Sequence, residues 1–525
     1  MSESSILHSA LARVPILKHI GSRSLSDSSP AASVSHDGRN LAIIALGSNI
    51  PDRFANIEAG LRLLEDNREE TQILETSFMY ETDPMYVTAQ DRFANCACLI
   101  ATTLSPLKLL QKLKNIESTV GRVKTFRNGP RVVDLDIIFY NDEIFDSRAQ
   151  GVMEEEGHLI VPHVRMHERE FVLRPCADII PHYIHPLLGY SIADLLGQVA
   201  NPQIPIRKIL PLPPLSVGTE RCWILSKKTY IMATLNVTPD SFSDGGQHSS
   251  IEDAVTYVHN SVAQGADIID IGGYSTRPGA AFVSPEEELR RVVPVIQRLR
   301  EQGLTVPISV DTFRASVADA ALAVGADIIN DVRALDEDPA MRAVAGKRGV
   351  PVILMHSRPG DAGKNKGYAD LGGVIAGVKK ELGENVSKAR RTGGIRRWSV
   401  VVDPGIGFNK SVEDNLTLLR HHATLTDSGP VTATPQKSLR AAWEDQQRLE
   451  TERPMEGMPT LIGASRKSFL GRVIGDPDRD PSLRAWATAA AVTVAVQQKT
   501  DIVRVHDIKE MKDVLAIADA VWRAD

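Results

Sequence analysis

Cysteine is scarce in this 525-residue chain: there are four, Cys96, Cys98, Cys176 and Cys222. None is spaced as a CxxC pair or a metal-ligand cluster, which argues against a zinc or disulfide scaffold and for free, buried thiols in a reducing compartment. Long apolar runs are also missing. The longest apolar helix candidate, AWATAAAVTVAV at 485–496, falls short of the roughly 20 residues a bilayer span needs and reads as a core helix. Neither sign of charge dominates: the formal net charge is −6, which lends no support to a nucleic-acid or membrane partner. No GxxxxGK[ST] sequence occurs, so any nucleotide site here is not a P-loop. The composition, 42% apolar and 24% charged, is that of an ordinary globular protein. At roughly 150 residues per domain, a large domain plus a smaller one is the natural division.

The stretch from Tyr230 to Gly246, YIMATLNVTPDSFSDGG, reads as a buried strand running into a polar, glycine-ended loop. Apolar runs with polar tips recur at 267–279, 307–312, 327–332, 351–356, 400–408, 459–468 and 501–507, making eight strands. Helical periods lie between them, as at 251–265, 285–303 and 313–325. Strand then helix, eight times over, predicts an α/β fold closed as a (β/α)₈ barrel, with chemistry on the loops after the strands.

Upstream, residues 1–39 show no core pattern. Abundant Ser with Arg13, Lys18 and Arg23 suits either a disordered leader or a mitochondrial presequence, which leaves cytoplasm and mitochondrion both open. A reporter fused to this segment separates the two. From residue 40 to 201 the pattern predicts a first domain: strands at 41–47, 73–80, 93–101 and 134–140, with helices over 53–64 and 105–119. That mixture suggests helices on an antiparallel sheet. Residues 202–228 carry prolines at 202, 205, 211, 213 and 214 and read as a stiff extended linker to a barrel over 229–525. A charged, turn-rich stretch at 422–457 departs from barrel spacing and reads as an insertion rather than a lid.

In the first domain the informative run is GPRVVDLDI (129–137). Residues two apart on a strand share a face, so Asp134 and Asp136 can jointly hold a hard divalent cation such as Mg²⁺. Arg122, Lys124, Arg127 and Arg131 lie just upstream, where they can neutralise phosphate oxygens. A salt-bridged strand edge would show the same spacing. In the barrel the loops after strands seven and eight carry Ser465-Arg466-Lys467-Ser468 and Arg504-Val505-His506-Asp507, where this fold commonly builds a phosphate site. Asp311, Asn330 and Asp403 end strands three, four and six, and suit a flat heterocycle whose N–H donors each need an acceptor. Any one Asp could instead cap the following helix.

Residues 41–195 resemble hydroxymethyldihydropterin pyrophosphokinase through LGSN (46–49), FAN (93–95), IESTVGR (116–122), GPRVVDLDI, and VPH (161–163) with Arg169 and Phe171 behind it. The resemblance implies a ferredoxin-like α+β domain in which Asp134 and Asp136 bind two Mg²⁺ ions. It implies that Arg122 and Arg131 contact phosphates, that Glu117, His163 and Arg169 serve ATP, and that Asn95 and Phe171 serve the pterin. Phe93 stands where a Tyr is frequent, and Asn128 where an aromatic is common. The barrel resembles dihydropteroate synthase over its full length, through NVTPDSFSDGG (236–246), GGYSTRPG (272–279), SVDT (309–312), IND (329–331), DPGIGFNK (403–410), SRKS and RVHD. By that resemblance Asn236 with Mg²⁺, Thr276, Arg277, Arg504 and His506 hold a pyrophosphate. Asp311, Asn330, Met355, Asp403 and Lys467 take the pterin, while Phe242, Pro278, Phe408 and Ser468 frame the aminobenzoate. Ile406 stands where Phe is common.

Together the resemblances imply two consecutive steps of folate biosynthesis in a fungal-type fusion, with ATP as co-substrate and a homodimer formed through the barrel. Fungal relatives of this pair often carry an aldolase domain upstream, so the chain is either naturally bifunctional or truncated. Two rival readings fit the same residues. The first domain could be a degenerate pterin-binding scaffold beside an active barrel, or Lys467 could form a Schiff base in an aldolase-type enzyme.

Overall fold

The computed structural model describes residues 38–123, 129–148, 158–201, 206–216, 219–237, 247–274, 282–358, 367–427 and 434–523. The first domain is built on an antiparallel sheet of β1 (Asn40–Ser48), β2 (Thr71–Thr76), β3 (Met79–Thr82), β4 (Phe93–Thr102) and β5 (Asp134–Tyr140). Hydrogen bonds give the order β5-β1-β4-β3, with β2 also on β4. The single strand expected over 73–80 is therefore two, each pairing with a different part of β4. Strands β6 (Phe145–Asp146) and β7 (Ile160–Val161) form a separate ribbon.

Period-two alternation explains why β1 and β4 are apolar almost throughout. Ala42, Ile44, Leu46, Cys96 and Cys98 face helices Arg53–Leu64 and Pro106–Val120, whereas Leu41, Ile43, Ala97 and Leu99 face helix Glu170–Ile179. A sheet covered on both faces has no polar side to show. All four cysteines are free; three are buried and Cys222 is half-buried.

The described part of the 202–228 stretch, residues 206–216 and 219–228, is not a linker. It contributes β8 (Arg207–Leu212) and β9 (Arg221–Ile224), a hairpin that extends the first domain's sheet beside β3. Pro211 tolerates this place because pairing with β3 stops at Ile209, so its missing N–H is not required there. The hairpin's other apolar side chains, Leu210, Leu212 and Trp223, bury against the barrel.

Eight parallel strands follow: β10 (Tyr230–Asn236), β11 (Ile268–Gly272), β12 (Ile308–Asp311), β13 (Ile328–Asp331), β14 (Val352–Met355), β15 (Val400–Asp403), β16 (Leu461–Ile462) and β17 (Ile502–Val505). The ladder runs from β15 through β10 to β17 and β16, and a single parallel bridge, Val402 to Thr460, closes it. Outward residues such as Ile231, Ala233, Ile269, Ile271, Ile308 and Val310 pack under the helices. Inward residues at the amino ends, Met232, Ile268, Ile328, Ile353, Val401, Leu461 and Ile502, pack on the hairpin. Each fully buried side chain of this size stabilises by about 1.5–3 kcal/mol.

The first domain thus docks at the amino ends of the barrel strands. Trp398, just before β15, is buried in the first domain's core. Arg397 donates its N–H to Thr76 Oγ1 at 3.1 Å and its Nη1 to Asp178 O at 2.8 Å. Arg390 pairs with Glu75 across the seam and with Glu450. The insertion supplies Glu450 from an ordered helix, Leu439–Glu452, whose Leu439, Ala442 and Trp443 join the first domain's core. Its apolar spacing is helical, and it touches both domains, through Trp443 on one side and through Glu450 with Arg390 on the other.

Two candidate active sites

On β5, Asp134 and Asp136 share a face and line a cleft with Gly47, Asn95, Arg131 and Phe171. Arg122 Nη1 donates to Asp134 Oδ1 at 2.7 Å, and Arg131 Nη1 binds the other oxygen. Burial would push the Asp136 carboxyl up, but Lys114, His163, Arg131 and Arg169 hold it below the usual range. Burial depresses His163 despite the pull of Asp136. Its Nδ1 accepts from Arg165 N at 3.2 Å, which leaves the proton on Nε2. On the cleft's other side Asn95 Nδ2 donates to Thr82 Oγ1 at 2.8 Å. A Cβ on Gly47 would come within 3.1 Å of Asn95 Oδ1, so glycine keeps the cleft wall close to the amide. The Arg169 guanidinium lies 5.7 Å from the Phe171 ring centre and 5.6 Å from that of Tyr86. Aromatic and amide groups thus stand beside paired carboxylates and arginines, an arrangement that can seat a flat heterocycle next to a polyphosphate.

At the carboxyl ends of the barrel strands the inward positions turn polar. Arg504 Nε donates to Asp270 Oδ2 at 2.6 Å and its Nη2 to Asp311 Oδ2 at 3.0 Å. Asn330 Nδ2 lies 3.2 Å from both oxygens of Asp270. Burial and the neighbouring Asp270 raise the Asp311 carboxyl to about 7, although Arg504 opposes them. Asp403 is also raised by burial, against the pull of Lys467. Lys467 donates to Ile406 O and sits 4.3 Å from the Phe408 ring centre. Burial brings its ammonium down to about 7, while Asp403 pulls the other way. His506 Nδ1 lies 3.1 Å from Ser465 Oγ, and Arg466 Nε donates to Asp507 Oδ2 at 3.1 Å.

A family model described as 7,8-dihydro-6-hydroxymethylpterin-pyrophosphokinase matches residues 43–181, and one described as pterin binding enzyme matches 232–506. The folate synthesis bifunctional protein, mitochondrial, of Arabidopsis thaliana is 38% identical over 502 residues, covering 92% of this chain and 83% of that protein. The chain belongs to this family, which joins the two domains in one polypeptide. The folic acid synthesis protein fol1 of Pneumocystis carinii is 36% identical over 482 residues, covering 91% of this chain. The chain spans 60% of that relative's length, and 59% of the like-named protein of Schizosaccharomyces pombe. In fold, a Plasmodium falciparum HPPK-DHPS structure aligns with a TM-score of 0.70 at 23% identity, covering 92% of this chain and 96% of that one.

In the pyrophosphokinase domain the structure brings Asn95, Arg131, Asp134, Asp136, Arg169 and Phe171 around one cleft. Glu117, expected to serve ATP, lies beneath it, 3% exposed. Its Oε1 accepts from Lys114 Nζ at 2.7 Å and Leu135 N at 2.8 Å, and its Oε2 pairs with Arg122. Both oxygens therefore serve to hold Arg122 and the start of β5. In the pterin-binding barrel the cationic and acidic groups, read from the sequence as separate regions, form one network through Arg504. Met355 ends β14, Asn236 ends β10, and Ser468 opens helix Ser468–Val473. Lys124, Arg127, Asn128, Phe242, Thr276, Arg277 and Pro278 lie outside the described residues. Asp270 was missed by sequence reasoning; the signal is an acid interrupting the apolar run IIDIG at an inward position.

Proposed function

We propose that the chain carries out two consecutive reactions on one pterin. The first domain transfers a pyrophosphoryl group from ATP to the hydroxyl of 6-hydroxymethyl-7,8-dihydropterin. The barrel then joins the diphosphate to p-aminobenzoate, giving 7,8-dihydropteroate and pyrophosphate. One observation carries the reading: the inward layer of Asp270, Asp311, Asn330, Asp403, Lys467 and Arg504 at the barrel mouth offers acceptors for a pterin's N–H groups beside cations for its diphosphate.

In the first domain, two carboxylates on one strand face, with no cluster of three His, Cys, Asp or Glu among the described residues, fit Mg²⁺. That ion takes one or two carboxylates and fills its shell with phosphate oxygens and water. Asp134 and Asp136 would hold it, and when bound it neutralises charge on the transferred group. Arg122 and Arg131, already oriented on Asp134, approach the same phosphates, with Arg169 on the cleft wall and His163 within electrostatic reach of Asp136. Asn95 and Phe171 orient the pterin. Catalysis here is positioning and charge complementarity.

In the barrel, Asp311, Asn330, Met355, Asp403 and Lys467 take the pterin. Arg504 and His506, with Thr276 and Arg277, hold the diphosphate, and Asn236 would offer one amide oxygen to a Mg²⁺ ion there. Phe408 and Ser468, with Phe242 and Pro278, frame the aminobenzoate. The bond from the methylene carbon to the diphosphate oxygen breaks, the amine nitrogen bonds to that carbon, and the amine releases a proton. Cations around the departing anion stabilise the transition state. Feeding the alcohol, ATP and p-aminobenzoate to the purified chain should yield dihydropteroate, AMP and pyrophosphate. Product from supplied diphosphate alone would reduce the first domain to a scaffold, and no product from either would overturn the reading.

A second copy belongs to this reading. Trp486, Ile517 and Val521 are 87%, 70% and 62% exposed on the adjacent helices Ala485–Gln497 and Ile508–Trp522, and this apolar face suits pairing of two barrels. Sedimentation should give a dimer that Trp486→Glu converts to monomer; a monomeric parent chain would rule the pairing out.

A further inference from the structure

The loop from Asp403 to Phe408 carries both a pterin acceptor and an aminobenzoate contact, and it is unusual backbone. Gly405 and Gly407 have φ of 70° and 80°. A Cβ on Gly405 would collide with the His356 carbonyl, and one on Gly407 with the Lys467 side chain. Ile406 is anchored in the barrel core, and the loop's amides are held by side chains, Gly405 N donating to Asp403 Oδ1 at 2.7 Å and Gly407 N to Asn415 Oδ1 at 2.6 Å. Its carbonyls are held by two lysines. Lys467 reaches Ile406 O from the loop after β16. Lys410, which the site described above does not use, folds back so that its Nζ lies 2.9 Å from Gly405 O, 3.1 Å from Phe408 O and 3.1 Å from His356 Nδ1. A fourth acceptor, His356 O, lies at 3.5 Å, so the three N–H bonds of an ammonium are all engaged there.

The arrangement continues outward. Since His356 Nδ1 accepts from Lys410, the ring's proton is on Nε2, which lies 2.8 Å from Glu381 Oε2. Burial lowers His356 to about 4, in keeping with a neutral ring. Arg358 Nη2 donates to Glu381 Oε1 at 2.8 Å, and its guanidinium stacks 3.9 Å from the Tyr368 ring centre. Tyr368, Arg358, Glu381, His356 and Lys410 thus form one relay of fixed orientation from the helical shell to the loop.

We propose that Lys410 is a positioning residue for the barrel reaction, with its ammonium, anchored on His356, holding the 403–408 loop in the shape that receives both substrates. The proposal rests on the barrel condensing a pterin diphosphate with p-aminobenzoate. It predicts a change in substrate binding rather than in the amount of folded enzyme. In Lys410→Met, KM for the pterin diphosphate and for p-aminobenzoate should each rise by about tenfold or more, as expected for loss of a charge-assisted hydrogen bond. His356→Leu should do the same, and His356→Asn, which keeps an acceptor near the Nδ1 position, should recover most of the loss. A merely structural role would lower apparent kcat with the folded fraction and leave both KM values unchanged. That outcome, in Lys410→Met or, if that variant does not fold, in His356→Leu, overturns the proposal. The same chain's ATP-to-AMP activity reports the integrity of the first domain. An unmodified chain unable to condense supplied diphosphate would overturn the barrel reading and this proposal with it, a result distinct from normal turnover with unchanged KM in the variants.

Discussion

The two ends of the barrel are made by the same alternation and differ in what it points inward. At the amino ends the inward side chains are Met232, Ile268, Ile328, Ile353, Val401, Leu461 and Ile502, sealed by the hairpin's Leu210, Leu212 and Trp223. Two residues further along β11, β13, β15 and β17 stand Asp270, Asn330, Asp403 and Arg504, with Asp311 at the end of β12; Arg504 bonds Asp270 and Asp311, Asn330 bonds Asp270, and Asp403 lies in the field of Lys467. One end therefore supplies stability and the other chemistry, the division this fold makes in general. Here the stable end has a second use: it is the platform on which the whole first domain rests.

If the ends are separable, disabling the unit docked on the sealed end must leave the open end intact. The largest effect should come from Asp134→Ala with Asp136→Ala. Dihydropteroate formed from the alcohol should fall by at least about 10³, given losses of about 10²–10³ for single groups that meet transition-state charge. The rate from supplied diphosphate should stay that of the parent chain. Product still made at the parent rate from the alcohol would break the assignment. Next, Trp223→Ala removes the hairpin's largest plug, which lies 5.0 Å from the Tyr230 ring centre, and should cost about 3–5 kcal/mol in barrel stability. Its KM values, set at the far end, should not move. Lys467→Ala should do the reverse: turnover falls about 10²-fold or more with the unfolding midpoint preserved. A parallel loss of stability and KM in both variants would show the two ends to be one unit.

A smaller effect is expected from pH. Asp311 accepts most strongly from a pterin N–H when ionised, and burial sets its carboxyl at about 7. Lys467 must be protonated, and burial brings it to about 7 as well. Barrel kcat/KM should therefore rise and then fall around neutrality, changing up to about tenfold per pH unit on each limb. Asp311→Asn should flatten the acid limb. The stability sign is separate. The folded Asp311 holds its proton more tightly than the roughly 3.9 of an unfolded carboxyl, so its contribution is complete below about pH 4 and is lost as pH rises to about 7. Denaturant midpoints of the parent should fall across that window more steeply than those of Asp311→Asn.

How much of this was legible in the sequence depends on whether a signal was local. The eight strands and the polar tips follow from alternation within a few residues, and so does the shared face of Asp134 and Asp136. The hairpin at 207–224 was misread because prolines at 211, 213 and 214 speak for extended chain, while the partner that makes Arg207–Leu212 a strand, β3, is more than 120 residues away. The helix at 439–452 looked like a charged insertion because its apolar residues Leu439, Ala442 and Trp443 find their partners in the first domain, far away in sequence. Glu117 was assigned by resemblance to the nucleotide, and only the geometry shows both oxygens spent on Lys114, Arg122 and Leu135. Lys410 and Asp270 sit inside motifs already quoted, yet nothing in their spacing says that one reaches back to Gly405 and the other across to Asn330 and Arg504.

The smallest expected effect tests the geometry most directly. Because β3 pairs with the hairpin and Trp398 is buried in the first domain, that domain is fixed at the sealed end. A flexible tether can raise the local concentration of a shared intermediate to about the millimolar range, but a rigid mount on the far side of a filled barrel does not bring the second mouth nearer. The diphosphate should therefore pass through solvent. A coupled assay from the alcohol should show a lag before dihydropteroate appears. Adding an excess of the Asp134→Ala, Asp136→Ala chain, which makes no diphosphate but keeps its barrel, should shorten that lag in proportion to the barrels added. Direct transfer between the two pockets predicts the opposite: no lag at any enzyme concentration, and no response to barrels that the first domain cannot reach.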